Sequence, residues 1–349
     1  MANYATSVLA TGQADIIARH NAPEQRRKVP TVMELALRNQ QYSIPNANDL
    51  RVSELRPVQI YYFKDVAAGA TTAKAYNHTG AYGDSGMVTL TYISHVEKIK
   101  LPRKIAQNNV KAYSAMFTNL YEMAWKNLRT RHDTSALAFV YANRMQLSAA
   151  VVNPQIASAN PGTWNDTNYA LEIDANKASR FAQKAKSAMA ARYFTGMYDV
   201  IADLQIADEF EYAMQQGQAN NANTAFQFAN MNVSRTQDVI DSNYANGAML
   251  IMPANSLSAL QWNDPLNRTG VNSGENNVGM LGTISDPFGS GAVADISMYT
   301  GRADTSANTT GGSTQDIVDE WEITLTNAYA LPPLSTAGES VVHEVAQAS

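Results

Sequence analysis

Residues 103–153 run for 51 positions without a glycine or a proline, and the stretch before them is built like a long β-ribbon. The ribbon's arms are Pro57–Asp65 and Gly86–Leu101, both rich in the β-branched and aromatic residues that suit a pleated surface. Between them, Val66–Ser85 is full of Ala, Gly and Thr. A loop of about twenty residues with no structure of its own does not belong inside a compact domain, so this element is expected to reach toward something else.

Within the Gly- and Pro-free run, Tyr113, Met116, Phe117, Leu120, Ala124 and Leu128 fall at helical spacing, which predicts an amphipathic helix from about Gln107 to Thr130. The polar cluster Arg129–Thr134 interrupts that stripe. Asp133 is the expected N-cap of a second helix over Ser135–Leu147, and Asn153-Pro154 and Asn160-Pro161-Gly162 end the segment in turns.

With 349 residues the chain has ample length for a buried core. Only 16% of its residues are charged, while 31 asparagines equal Asp and Glu combined. Amides and hydroxyls carry the polarity, which suits surfaces buried against other subunits. The chain has no Cys, which excludes disulfides, thiolate catalysis and cysteine zinc sites. No signal-like N-terminus and no apolar window of about eighteen residues occurs, so no membrane role is expected. The net charge of -5 gives no general pull toward nucleic acid. The charges are nonetheless segregated: eight basic residues between Lys98 and Arg131 face one acid, and between Asp199 and Asp241 seven acids face Arg235. Such patches could steer copies of the chain into register or be ordinary solvated faces.

Elsewhere, residues 1–55 read as an arm, with Pro23, Pro30 and Pro45 interrupting any long helix. Within it, Thr31 and Glu34 form a capping-box start for two helical turns. From Asp174 onward helices and strands alternate. The expected elements are a helix from Asp174 to Arg192, a strand at Tyr198–Ala202, a helix at Ala207–Gln216, and strands at Ala225–Val233 and Gly247–Met252. A helix carrying Leu257, Leu260 and Trp262 should follow, capped by Asn255 or Ser256. Residues 267–291 read as a loop, residues 320–330 as a last strand with Trp321, Ile323 and Leu325 on one face, and the tail as small and polar.

Three motifs suggest chemistry. Gly83-Asp84-Ser85-Gly86 matches the surroundings of a serine-protease nucleophile, but the chain before it is too short for that protease fold and offers no suitable histidine. Gly289-Ser-Gly-Ala-Val-Ala294 has dinucleotide-loop spacing in the wrong context, since a strand follows it and a hairpin turn is the better reading. His132 beside Asp133 is a possible dyad that reads better as a surface pair at a helix corner. No catalytic, cofactor-binding or metal-binding residue is assigned.

An arm, a protruding ribbon, a long helix, an α/β region and a final strand followed by Pro332-Pro333 is an order that resembles the major capsid proteins of tailed bacteriophages, the Hong Kong 97 type fold also used by encapsulins. The resemblance implies an α+β capsid fold with residues 1–55 as N-terminal arm, 56–101 as extended loop and 102–173 as spine helix and peripheral domain. It implies 174–315 as axial domain, and 316–349 as return strand to the peripheral sheet plus tail. It implies a structural shell protein without cofactor, assembling in the host cytoplasm into hexamers and pentamers of a virion capsid around packaged DNA held by weak, unspecific contacts. Portal and decoration proteins are implied partners. The chain begins with Met1 and lacks a long charged prefix, so scaffolding would come from a separate protein. Expected contacts between subunits are Lys64, Lys74, Tyr76, Tyr82, Arg103, Lys104, Asp208, Glu209 and Glu211. Some relatives join a Lys to an Asn of another subunit; Lys64 or Lys74 could be considered, but no motif locates a partner and the bond is not expected. The alternatives are an encapsulin-like compartment and a cytosolic hydrolase using Ser85.

Overall fold

The computed structural model describes residues 2–20, 28–39, 58–64, 84–103, 110–149, 152, 162–174, 181–215, 225–228, 230–264, 278–304, 315–334 and 336–348. The ribbon tip, with Lys74, Tyr76 and Tyr82, and also Lys104, lie outside these residues.

Helix α1 (Ala2–His20) is followed by α2 (Thr31–Arg38). The arm therefore holds a 19-residue helix, contrary to the expectation from its prolines, because all of them lie beyond it. Its Val8, Leu9 and Ile16 are buried in one cluster with Tyr113, Phe117 and Tyr121. Strands β1 (Val58–Lys64) and β2 (Asp84–Leu90) pair antiparallel and form a sheet of their own. The second expected arm is divided: β3 (Ile93–Pro102) leaves the ribbon for another sheet.

Helix α3 (Val110–Ala142) is one continuous helix of 33 residues, about 50 Å long. The expected break at 129–134 does not occur, because its polar residues find partners distant in sequence. Arg129 meets Asp286 at 3.0 Å and Glu34 at 3.0 Å, and His132 Nε2 lies 2.8 Å from the Leu325 carbonyl oxygen. Asp133 Oδ1 accepts from the backbone N–H groups of Val32 and Met33 at 2.9 and 3.1 Å. Asp133 is thus a cap for α2 rather than for its own helix. Thr31, the expected cap there, instead donates its hydroxyl to the Arg235 carbonyl, and Glu34 turns to Arg129.

The next elements are β4 (Thr163–Asn165), β5 (Ala170–Ile173), α4 (Phe181–Ala191), β6 (Tyr198–Ala202) and α5 (Leu204–Gln215). Then come β7 (Ala225–Phe228), β8 (Met231–Arg235), β9 (Ala248–Pro253) and β10 (Ser258–Trp262). The chain ends with β11 (Val278–Ser285), β12 (Val293–Asp304), β13 (Gln315–Ala330) and β14 (His343–Gln347). The single strand expected over 225–233 is a hairpin turning at Asn230, whose φ of 67° is tolerated by an amide side chain. The helix expected at 257–262 is instead β10, buried throughout and paired with β13. Asn255, at φ 64°, turns the chain out of a helical path. The expected loop at 267–291 contains β11, and the tail contains β14.

Two larger sheets complete the fold, and they do not follow the sequence boundaries. One has the order β10-β13-β12-β11 with β3 also on β13, so residues 258–262, 278–285 and 293–304 sit with the return strand. The other has the order β4-β5-β14-β9-β6-β8-β7, with 163–165 and 170–173 at one edge and β14 next to them. Spine helix and first sheet share a core in which Phe117 meets Trp321 at a centroid distance of 4.7 Å. Trp321, Ile323 and Leu325 form the buried face their alternation predicts. The second sheet is covered by α4 and α5 through Phe181, Ala185, Met189, Ile206 and Phe210.

Candidate assembly surface

A two-stranded ribbon is marginal on its own in water, so its surroundings decide whether it persists. At the root, Val58 and Leu90 pack on Leu260, Ala328 and Ala330. Further out, cross-strand partners share a face: Tyr61 opposite Met87, and Phe63 opposite Ser85. Phe63 is 91% exposed, Tyr61 70% and Met87 49%. The reverse face carries Ile60 and Val88, and Tyr62 lies over Gly86, where an added Cβ would come within 2.4 Å of the ring. That covering explains the glycine of the Gly-Asp-Ser-Gly motif as a place for an aromatic ring.

Lys64 and Asp84 close the described end with an ion pair at 2.8 Å. Hydrogen bonding to Lys64, then to the Ser85 backbone, lowers the Asp84 carboxyl, and the same pair raises Lys64. Ser85 stands between Asp84 and Gly86 on the exposed strand, while the histidines His95, His132 and His343 belong to other elements. His132 is buried and pushed down to about 4 by burial, its Nε2 engaged with Leu325 and its neighbour Asp133 directed to α2. Neither a nucleophile with a base nor a surface dyad is formed by these residues. The Gly289–Ala294 turn joins β11 to β12, as a hairpin should. Asp286 accepts from the backbone N–H of Phe288 and from the Ser290 hydroxyl there, so the turn is filled by the protein's own carboxylate. Among the described residues, no three His, Cys, Asp or Glu side chains gather as metal ligands, and no helix is long and apolar enough to cross a membrane.

Most of the expected charged contacts are occupied within the chain. Arg103 holds Asp319 at 2.8 Å and reaches Thr300. Asp208 and Glu211 both pair with Arg235, while Glu209 is exposed. Lys98 and Lys100 pair with their cross-strand partners Glu322 and Glu320, Lys126 with Glu122, and Arg131 with Glu97. Among the acids, Asp199 and Asp203 are buried and accept internal hydrogen bonds, and Asp238 meets Lys28. Among the described residues, the segregated charges are thus largely paired within the chain, several of them at its surface. The exposed feature is apolar, and Tyr61, Phe63 and Met87 were missed as candidates. Their signal was the run Ile60-Tyr-Tyr-Phe63, which places bulky side chains on both faces of a strand that can bury only one.

Neither a protein-family model nor a curated protein matches the sequence. Solved structures do. The capsid asymmetric unit of cyanophage Pam1 superposes with a TM-score of 0.51 over 93% of this chain and 94% of that one, at 8% identity. A structure from Mycobacterium phage Che8 aligns over 92% of both chains with a TM-score of 0.49 and 10% identity, and one from Mycobacterium phage Bobi over 94% of both with 0.46 and 11%. With the Pam1 superposition over nearly the whole chain, the fold is the α+β capsid fold of the Hong Kong 97 type.

Proposed function

We propose that this chain is a shell subunit, a major capsid protein of a tailed phage that assembles into an icosahedral head. One observation carries the reading: a ribbon rooted in the body by five buried residues displays an aromatic outer face that a monomer leaves in water. Large apolar side chains at these exposures are what an assembly buries. The capsid fold supplies the context in which a neighbouring copy covers them.

Copies form hexamers and pentamers, and the shell forms in the host cytoplasm and persists in the virion. Scaffolding, portal and decoration proteins are the further partners proposed. DNA inside meets a subunit of net charge -5, so contacts are weak, unspecific and salt-sensitive. Lys64, Lys74, Tyr76, Tyr82 and Glu209 remain contact candidates. Arg103, Asp208 and Glu211, held by internal ion pairs, contribute mainly to the subunit itself. Lys104 belongs with the candidates.

Electron microscopy of the purified protein tests the reading. Shells, rings or sheets are expected, and small discrete particles at every concentration refute it. Nucleic-acid extraction from shells formed in infected cells then tests the cargo: a compartment for protein would contain no DNA.

A further inference from the structure

A cleft of about 490 Å3 opens at the root of the ribbon, lined by Val88, Leu90, Ile93, Phe139, Leu331 and Leu334. It lies where β2, the end of α3 and the segment after β13 converge, and its size is that of a ligand pocket. The ribbon's aromatic face cannot fill it in the same chain. Phe63 pairs with Ser85, five residues from Leu90, which is about 17 Å along a strand. It also shares its face with Tyr61 and Met87, whereas Val88 and Leu90 project from the other one.

We propose that the cleft receives the ribbon of a second copy, with Phe63 as the inserted side chain. This rests on the reading of the chain as a shell subunit and names where the ribbon docks. The three exposed side chains Tyr61, Phe63 and Met87 present roughly 400 Å2, about half of what one partner contributes to a stable interface. Each copy carries one knob and one cleft, so a single type of contact uses both. Because knob and cleft are different surfaces, the contact is head-to-tail and repeats from copy to copy until it closes. Charges near both surfaces are already paired, Lys64 with Asp84 and Glu339 with Arg192, so docking leaves no lone charge buried.

The test places a photoreactive benzoylphenylalanine at position 63 in a minority of chains, assembled with 15N-labelled unmodified protein. After irradiation, mass spectrometry should find position 63 of unlabelled chains joined to labelled peptides containing 88–93 or 329–334. Adducts elsewhere on the neighbour, within the same chain or on another protein overturn the inference while leaving the shell intact. Phe63→Ser should raise the concentration needed for assembly at least tenfold with unchanged circular dichroism, and an unchanged threshold also overturns it. Failure of the unmodified chain to assemble is a different result and counts against the shell reading itself.

Discussion

Replacing Asp133 by Ala should loosen the N-terminal segment from the spine helix. Asp133 is fully buried, and its Oδ1 accepts the Val32 and Met33 N–H groups, which have no other partner at the start of a helix. Its Oδ2 lies 3.1 Å from Lys28 Nζ. Loss of a helix cap costs about 1 kcal/mol, and stranding buried donors adds about 1–3 kcal/mol. Part of this is offset, because burial raises the Asp133 carboxyl and removing that charge recovers desolvation energy. Lys28 also keeps Asp238. The net loss for Asp133→Ala should be about 2–3 kcal/mol. Asp133→Asn retains an acceptor for both N–H groups and should lose about 1 kcal/mol or less. Urea unfolding of unassembled subunits, followed by tryptophan fluorescence, measures both. An Ala variant within about 0.5 kcal/mol of the parent, or an Asn variant as unstable as the Ala variant, would refute the capping argument.

Gly247 adopts φ 101°, and a Cβ there would lie 2.8 Å from Asp203 Oδ1, the acceptor for the Ile206 N–H. Gly247→Ala should therefore cost about 2–4 kcal/mol in the same assay through backbone strain and a displaced cap. Burial pushes Glu344 up to about 8, against the pull of Arg144 and reinforced by Asp241. A folded pKa above the ordinary 4.5 gives a contribution complete below about pH 4.5 and lost as pH rises toward 8. Glu344→Gln should flatten the stability profile across that window. Adjacent His343 is held down to about 3 by burial and then by Arg192, so its contribution is complete above about pH 6.5 and disappears as pH falls toward 3. His343→Gln should make unfolding less pH-dependent on that acid side. Deleting 66–83 should leave a folded monomer with unchanged circular dichroism and abolish shells in micrographs; intact shells would contradict the role given to the ribbon.

Elements whose stabilising partners are near in sequence, or whose pattern matches their burial, were legible. The stripe from Tyr113 to Leu128, the alternation around Trp321 and the paired ribbon arms all correspond to real elements. Readings failed where the deciding partner lies far away. Arg129, His132 and Asp133 look like a break because nothing local shows Asp286, Leu325 or Val32 waiting for them. Leu257 and Leu260 mimic a helical pair, yet β13 provides an open strand edge that claims 258–262. For the candidate surface, charge was the misleading signal. Composition counts ionic groups but not their pairing, whereas Phe63 is visible only once both faces of the ribbon are known.

The position of β14 also orders events in time. Its neighbours are β5, parallel to it, and β9, antiparallel, so the two halves of the seven-stranded sheet meet only through this strand. On the ribosome β9 emerges some ninety residues before β14. Until 343–347 arrive, the sheet exists as a β4-β5 fragment and a separate β9-β6-β8-β7 fragment. A nascent chain therefore cannot complete the seven-stranded sheet until its last strand has been made.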